Sequence, residues 1–182
     1  MKLLTFGIDH IDNDLFKPIS NPIEFDLRNK PMGGLWGSPY KPNEKYPSDW
    51  VNFIDGNLSE EFKKFVGITY NLKSDLKILE IDTLNDYLEV LNNYGYVPFK
   101  KLSKKLMLNF EAIAKDYNVF HLSDNASIEL RFLFGDLCTI AVDFFHYDVE
   151  SYILFSLDCI NMDSIEVITL PQDFWSIDNK DY

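Results

Sequence analysis

Six of the chain's eight prolines lie between Pro18 and Pro47. Each fixes φ and removes a backbone donor, so a long helix or a central strand cannot run through that span. Its middle is Lys30-Pro31-Met32-Gly33-Gly34-Leu35-Trp36-Gly37-Ser38-Pro39-Tyr40, which holds three of the eight glycines. Gly33 and Gly34 can take φ values that other residues avoid, and they allow close backbone approach. Leu35-Trp36 then reads as a short strand. Such a segment is either a tight structural corner or one wall of a binding site. An irregular region from Asp9 to about Pro47 is long for a compact domain, and regions of that kind usually carry function. Pro22 to Arg28 reads as a short extended piece leading into the glycines.

A length of 182 residues suits one domain. Hydrophobic residues make up 46% and aromatics 15%, ample for a packed core and against global disorder. No run approaches the roughly 18–20 apolar residues of a membrane helix, so no membrane partner is expected. The opening Met1-Lys2-Leu3-Leu4-Thr5-Phe6-Gly7-Ile8 is short for a signal peptide and meets Asp9 at once. The expected compartment is the cytoplasm, of the host cell if the chain is phage-encoded. Cys138 and Cys159 sit in apolar surroundings and read as buried free thiols. The formal charge of −12, from 29 acidic against 17 basic residues, disfavours non-specific nucleic-acid binding, which needs Lys and Arg on phosphates. The acidity serves solubility, or it makes the chain a decoy for a basic protein partner. A guanidinium-dependent site has two candidates, Arg28 and Arg131.

Leu3 to Ile8 reads as an opening strand. Ser48 caps a helix in which Trp50, Phe53 and Ile54 share a face, with Gly56 ending it. Ser59 caps a second short helix. Ile68–Leu72 and Leu76–Ile81 read as a hairpin. Thr83 with Asp86 resembles a capping box opening a helix to Asn93, closed by Gly95. Lys100 to Lys105 is a basic cluster, read as a solvated loop or a partner contact. Asn109 caps a helix from Phe110 to Tyr117. The rest alternates like a sheet: Val119–Leu122, Ile128–Phe134, Thr139–Phe145, Tyr152–Leu157 and Ile165–Leu170. Phe174-Trp175 is expected to pin an acidic tail, 171–182, to the body. The fold class is therefore α+β: a single domain, 1–182, with a mostly antiparallel sheet and helices in the first two-thirds.

The most suggestive chemistry is His146-Tyr147-Asp148-Val149-Glu150-Ser151. In an extended chain His146, Asp148 and Glu150 point to one side. Three readings stay open: a solvent-facing strand edge or turn, a metal site of one His and two carboxylates, or a carboxylate serving sugar chemistry. Dinucleotide, phosphate-loop and nucleophile-elbow motifs are absent. The two cysteines lack a nearby activating base in sequence, and His121, between Phe120 and Leu122, reads as an ordinary strand residue.

Two segments together carry a resemblance. Lys30-Pro31-x-Gly33-Gly34-Leu35-Trp36-x-Ser38, followed by Ser48-Asp49-Trp50, is similar to a family of small bacteriophage and prophage proteins. Its later hallmark, aromatic-Asp-x-x-Ser, matches Tyr147-Asp148-Val149-Glu150-Ser151. The layout also resembles the ADP-ribosyltransferase fold, a split, mostly antiparallel α+β sheet that grips NAD. The resemblance implies Ser38 at the second signature position and Glu150 at the third, with Asp148 as its alternate; these three would be catalytic. The opening strand carries neither Arg nor His, and His10 lies just past it. Gly33, Gly34, Trp36, Tyr40 and His10 would contact NAD. The implied function is a phage-encoded ADP-ribosyltransferase-like protein acting with NAD on a host or defence target. The alternative is a non-catalytic acidic binding protein, an inhibitor or anti-defence decoy, that occupies a host protein partner.

Overall fold

The computed structural model describes residues 1–14, 16–23, 28–57, 66–98, 100 and 103–169. Inside its main sheet lies β1 (Lys2–Phe6), whose Leu3 and Leu4 are both buried although they point to opposite faces. β2 (Leu35–Pro39) and β3 (Val66–Leu72) flank it, both antiparallel to it. β9 (Ile160–Thr169) pairs outside β3. On the other side β8 (Ser151–Leu154) pairs with β2, then β7 (Val119–Leu122) with β8, then β4 (Ile78–Ile81) with β7. The seven-stranded order is β4-β7-β8-β2-β1-β3-β9. The β4–β7 pair is parallel and the others are antiparallel. A separate two-stranded piece joins β5 (Gly95–Tyr96) to β6 (Met107–Leu108).

The class is the mixed α+β fold with a large, mostly antiparallel sheet that the sequence implies. The expected hairpin of residues 68–81 does not form. Both edges of β3 are taken, by β1 and β9. β4 lies at the far edge of the sheet, and its connection to β7 is the crossover that a parallel pair requires. Leu79 and Ile81 need the core beneath the helices, which β3 does not adjoin.

The helices are α1 (Asp49–Asn57), α2 (Leu84–Tyr94), α3 (Phe110–Asp116), α4 (Asp124–Glu129) and α5 (Leu137–Ile140). The last two correct the sequence reading twice: they fall in the final third of the chain, and they replace strands expected over 128–134 and 139–145. The reason is local. Ser123 Oγ accepts the Ala126 N–H at 3.1 Å and nucleates a turn of helix. Gly135, at φ 72°, then breaks any continuous strand. The helix expected after Ser59, the Phe174-Trp175 tail, parts of the Pro22–Arg28 piece and part of the Lys100–Lys105 cluster lie outside the described residues.

The Thr83–Asp86 capping box is present. Asp86 N donates to Thr83 Oγ1 at 3.3 Å, and Thr83 N donates to Asp86 Oδ2 at 2.8 Å. The hydrogen bonds from Thr83 hold the Asp86 carboxyl below the usual carboxylate range. Since the folded value is depressed, the cap contributes fully above the unfolded carboxylate pKa and fades as pH falls through the folded one. Thr83→Ala is expected to cost about 1 kcal/mol at neutral pH. Chemical denaturation should find that cost shrinking as pH falls through the depressed folded value, below which Asp86 is protonated in both states.

Strand alternation divides the core. One face carries Leu3, Ile68, Tyr70, Val119, Tyr152 and Leu154. The other carries Phe120, Leu122 and Ile153 against α2, α3 and α4, and Leu4 against Val51 of α1.

Candidate functional site

The glycine segment is a corner. Gly33 and Gly34 have φ of 74° and 69°. Gly34 N–H donates to Lys17 O at 2.8 Å, and Ser20 and Met32 exchange backbone hydrogen bonds. A Cβ on Gly33 would sit 2.4 Å from Pro18 O, and one on Gly34 would sit 2.9 Å from Ile153 Cγ2. The glycines are needed so that the 17–20 strap can lie directly on the start of β2. The corner is also a wall. A cavity of about 210 Å³ opens beside it, lined by Ile8, Ile11, Phe16, Leu35 and Leu157, with His10, Asp12 and Lys17 among its polar groups. Three of the residues expected to touch a cofactor, His10, Gly33 and Gly34, thus share one cavity. The exposed His10 ring pairs with Asp9 at 2.5 Å, and that hydrogen bond raises the imidazole pKa.

Trp36 and Tyr40 belong elsewhere. Trp36 pairs with Ile153, so its ring lies on the helix-covered face, 5.5 Å from the Tyr147 ring. Its Nε1–H donates to Gly33 O at 3.1 Å. Tyr40 packs beside Leu4 and Val51, with Lys2 Nζ 5.5 Å from its ring centroid.

Ser38 and Glu150 are not brought together. Ser38 pairs with Leu4, which points to the α1 side; it is 0% exposed, and its Oγ has no hydrogen-bond partner. Glu150 turns to the opposite face. There Glu150 Oε1 accepts from His121 Nε2 at 2.9 Å, and the His121 ring stacks on Tyr152 at 3.9 Å. The two side chains therefore leave the sheet on opposite faces.

His121, read as an ordinary strand residue, is a buried hub. It is 6% exposed. Its Nδ1 lies 3.6 Å from Glu80 Oε2, on the neighbouring parallel strand. With a carboxylate near each nitrogen, the ring ties β4, β7 and the start of β8 together. Burial and the nearby Glu150 and Glu80 carboxylates push the Tyr152 hydroxyl pKa upward. Among the described residues no group of three His, Cys, Asp or Glu side chains could hold a metal.

The expected one-sided row His146, Asp148, Glu150 is also absent, because residues 142–150 turn instead of extending: Tyr147 N–H donates to Phe144 O at 2.8 Å. Two cations clamp this turn. Arg131 Nη2 donates to Asp148 O at 3.1 Å and lies 3.9 Å from Asp148 Oδ1. Lys30 Nζ donates to His146 O at 3.4 Å and sits 4.7 Å from the Trp36 ring centroid. Burial lowers the Lys30 pKa, while Asp148 partly offsets that. Tyr147 is buried in a cage formed by Trp36, Phe120 and Phe144, its hydroxyl without a partner. The two motifs that carry the sequence resemblance, Lys30–Ser38 and Tyr147–Ser151, are therefore in contact. Their contact is a cation stacked on aromatic rings.

What this clamp supports is a surface that sequence reasoning did not find. Phe132, Phe134 and Phe145 are 50%, 80% and 46% exposed. Phe132 lies 5.2 Å from Phe145 and 6.3 Å from Phe134, ring centre to ring centre. Ile128 and Ile140, in the same stretch, are exposed as well. Residues 124–148 carry five carboxylates and one arginine, and that arginine is turned inward onto Tyr147 and Asp148. A signal was available: Phe132 and Phe134 directly before Gly135-Asp136, and Phe145 further on, with no hydrophobic partner assigned to them. It was hidden by reading the alternation as buried strand.

Comparison of the chain with protein-family models, with curated proteins and with solved structures finds no match. No helix among the described residues is long and apolar enough to cross a membrane.

Proposed function

We propose that the chain is a non-catalytic acidic binding protein that docks on a basic protein through the Phe132–Phe134–Phe145 cluster. The observation that carries this reading is the cluster itself. Exposed aromatic groups in mutual contact are unfavourable in water, and such patches mark interaction surfaces. The occupant follows from charge. The stretch that carries the rings, residues 124–148, also carries five carboxylates, and the chain's formal charge is −12, so the complementary surface bears Lys or Arg beside apolar groups. Its cations can lie over the phenylalanine faces as well as beside the carboxylates. Within the phage resemblance, such a partner is a host or defence-system protein, and the chain acts by occupying it.

The ADP-ribosyltransferase reading asks Ser38 and Glu150 to serve one NAD, and the two faces of the sheet speak against that. Calorimetric titration with NAD, on wild type and Glu150→Ala, separates the readings. Docking predicts no saturable heat that depends on Glu150. It also predicts that Glu150→Gln retains the partner that wild type captures, once that partner is identified and purified. Saturable NAD binding weakened by Glu150→Ala, with NAD consumed in the presence of the partner, would overturn docking in favour of transfer.

A further inference from the structure

The cavity beside Gly33 and Gly34 plays no part in the docking surface. It is mostly apolar, and it lies over the sheet face opposite Trp36. Ile8, Ile11, Leu35 and Leu157 form the half-buried margin of the Tyr152–Leu154 core, so the apolar surface they turn to the cavity stays in contact with water. The wall cannot fold inward to cover it. Gly33 and Gly34 have no side chains, and their backbone is fixed against Lys17, Pro18 and Leu154. Nor does a long side chain of the wall fill the space, since Trp36 points to the other face and holds Gly33 O from behind. Preformed, partly wet apolar concavity is the usual character of a small-molecule site.

Size and rim then set the ligand class. A cavity of about 150 Å³ lined by Leu, Ile and Phe suffices to bind benzene. At about 210 Å³, this one has room for one ring or two fused rings. Its floor is aliphatic with one aromatic, Phe16, which favours a flat hydrocarbon face over a sugar. His10, Asp12 and Lys17 bring both signs of charge to the same cavity, so a polar edge can be met by either a donor or an acceptor. We propose that the cavity binds a small, neutral, one- or two-ring aromatic molecule, ring inward and polar edge at the mouth.

The test uses indole as probe and two-dimensional amide NMR of the full chain. Expected are saturable shifts at Gly33, Gly34 and the Trp36 indole N–H. The Kd should be on the order of 0.1–1 mM, the range open to so small a ligand. Ile11→Trp, which fills the cavity from an irregular loop, should weaken indole at least about tenfold while the melting temperature holds or rises. Phe132→Ser/Phe134→Ser should bind indole as wild type does, so failure here and failure of the docking reading are separately visible. Two results overturn the proposal. One is no saturation by about 5 mM, well above the expected range. The other is saturation whose shifts centre on the phenylalanine cluster and persist in Ile11→Trp. If Ile11→Trp does not fold, the location of the wild-type shifts decides alone.

Discussion

Replacing Phe132 and Phe134 together by serine is expected to lower affinity for the basic partner at least about hundredfold. Central aromatic anchors in an interface are each worth roughly 2 kcal/mol or more when truncated, and every 1.4 kcal/mol is tenfold. Two anchors in ring contact are not additive, so about hundredfold is the floor rather than the sum. The same change should leave folding stability within about 0.5 kcal/mol, because neither side chain is buried in the core. That combination, large in binding and small in stability, is what separates a docking surface from a misplaced piece of core. Replacing Asp136 and Asp143 by asparagine should act differently. Rim charges steer association, so the loss should be mainly in on-rate and should shrink as salt rises. Surface plasmon resonance at two ionic strengths reads both effects.

Gly33→Val is expected to destabilise the fold by about 3–5 kcal/mol and to lower the melting temperature by roughly 10 °C. Two costs combine. A β-branched residue at φ 74° is a conformational outlier worth about 1–3 kcal/mol. The new Cβ also meets backbone, 2.4 Å from Pro18 O and 2.7 Å from Lys17 O, which cannot swing aside as a side chain would. Gly135→Ala is the matched control. Its φ is 72° with nothing within 4 Å of a built Cβ, so the strain stands alone at about 1 kcal/mol. Equal melting temperatures for the two variants would mean that the 17–20 strap does not press on the glycine corner.

The helices with explicit caps were legible in the sequence, and the topology was not. Thr83-x-x-Asp86 and Asn109 announced α2 and α3 because a cap is a local chemical event, written within four residues. The β3–β4 hairpin failed because adjacency in sequence says nothing about which edges are already occupied, and β3 had both edges filled by β1 and β9. Phe132-x-Phe134 failed for a subtler reason. Alternating apolar residues predict a strand only if something covers one side of them, and here a capped turn and Gly135 leave both rings in water. The glycine segment was read as either a corner or a site wall; it is a corner, and it lines a cavity. Ser38 and Glu150 lie in segments that meet in the sheet, since Gly37 pairs with Tyr152. Which face each side chain takes depends on register, and a shift by a single residue reverses it. His121 illustrates the same limit: Phe120-His121-Leu122 looked wholly apolar in surroundings, while its two carboxylates come from Glu80 and Glu150, 41 and 29 residues away.

On the docking proposal, the working surface is the phenylalanine cluster and not the Glu150 side of the sheet. The most direct measurement is one titration series against the same purified partner, with wild type, Phe132→Ser/Phe134→Ser and Glu150→Gln side by side. Glu150→Gln is expected to bind within about twofold of wild type, while the double variant loses about hundredfold or more. Wild-type affinity in the double variant, or a loss confined to Glu150→Gln, would contradict the docking proposal.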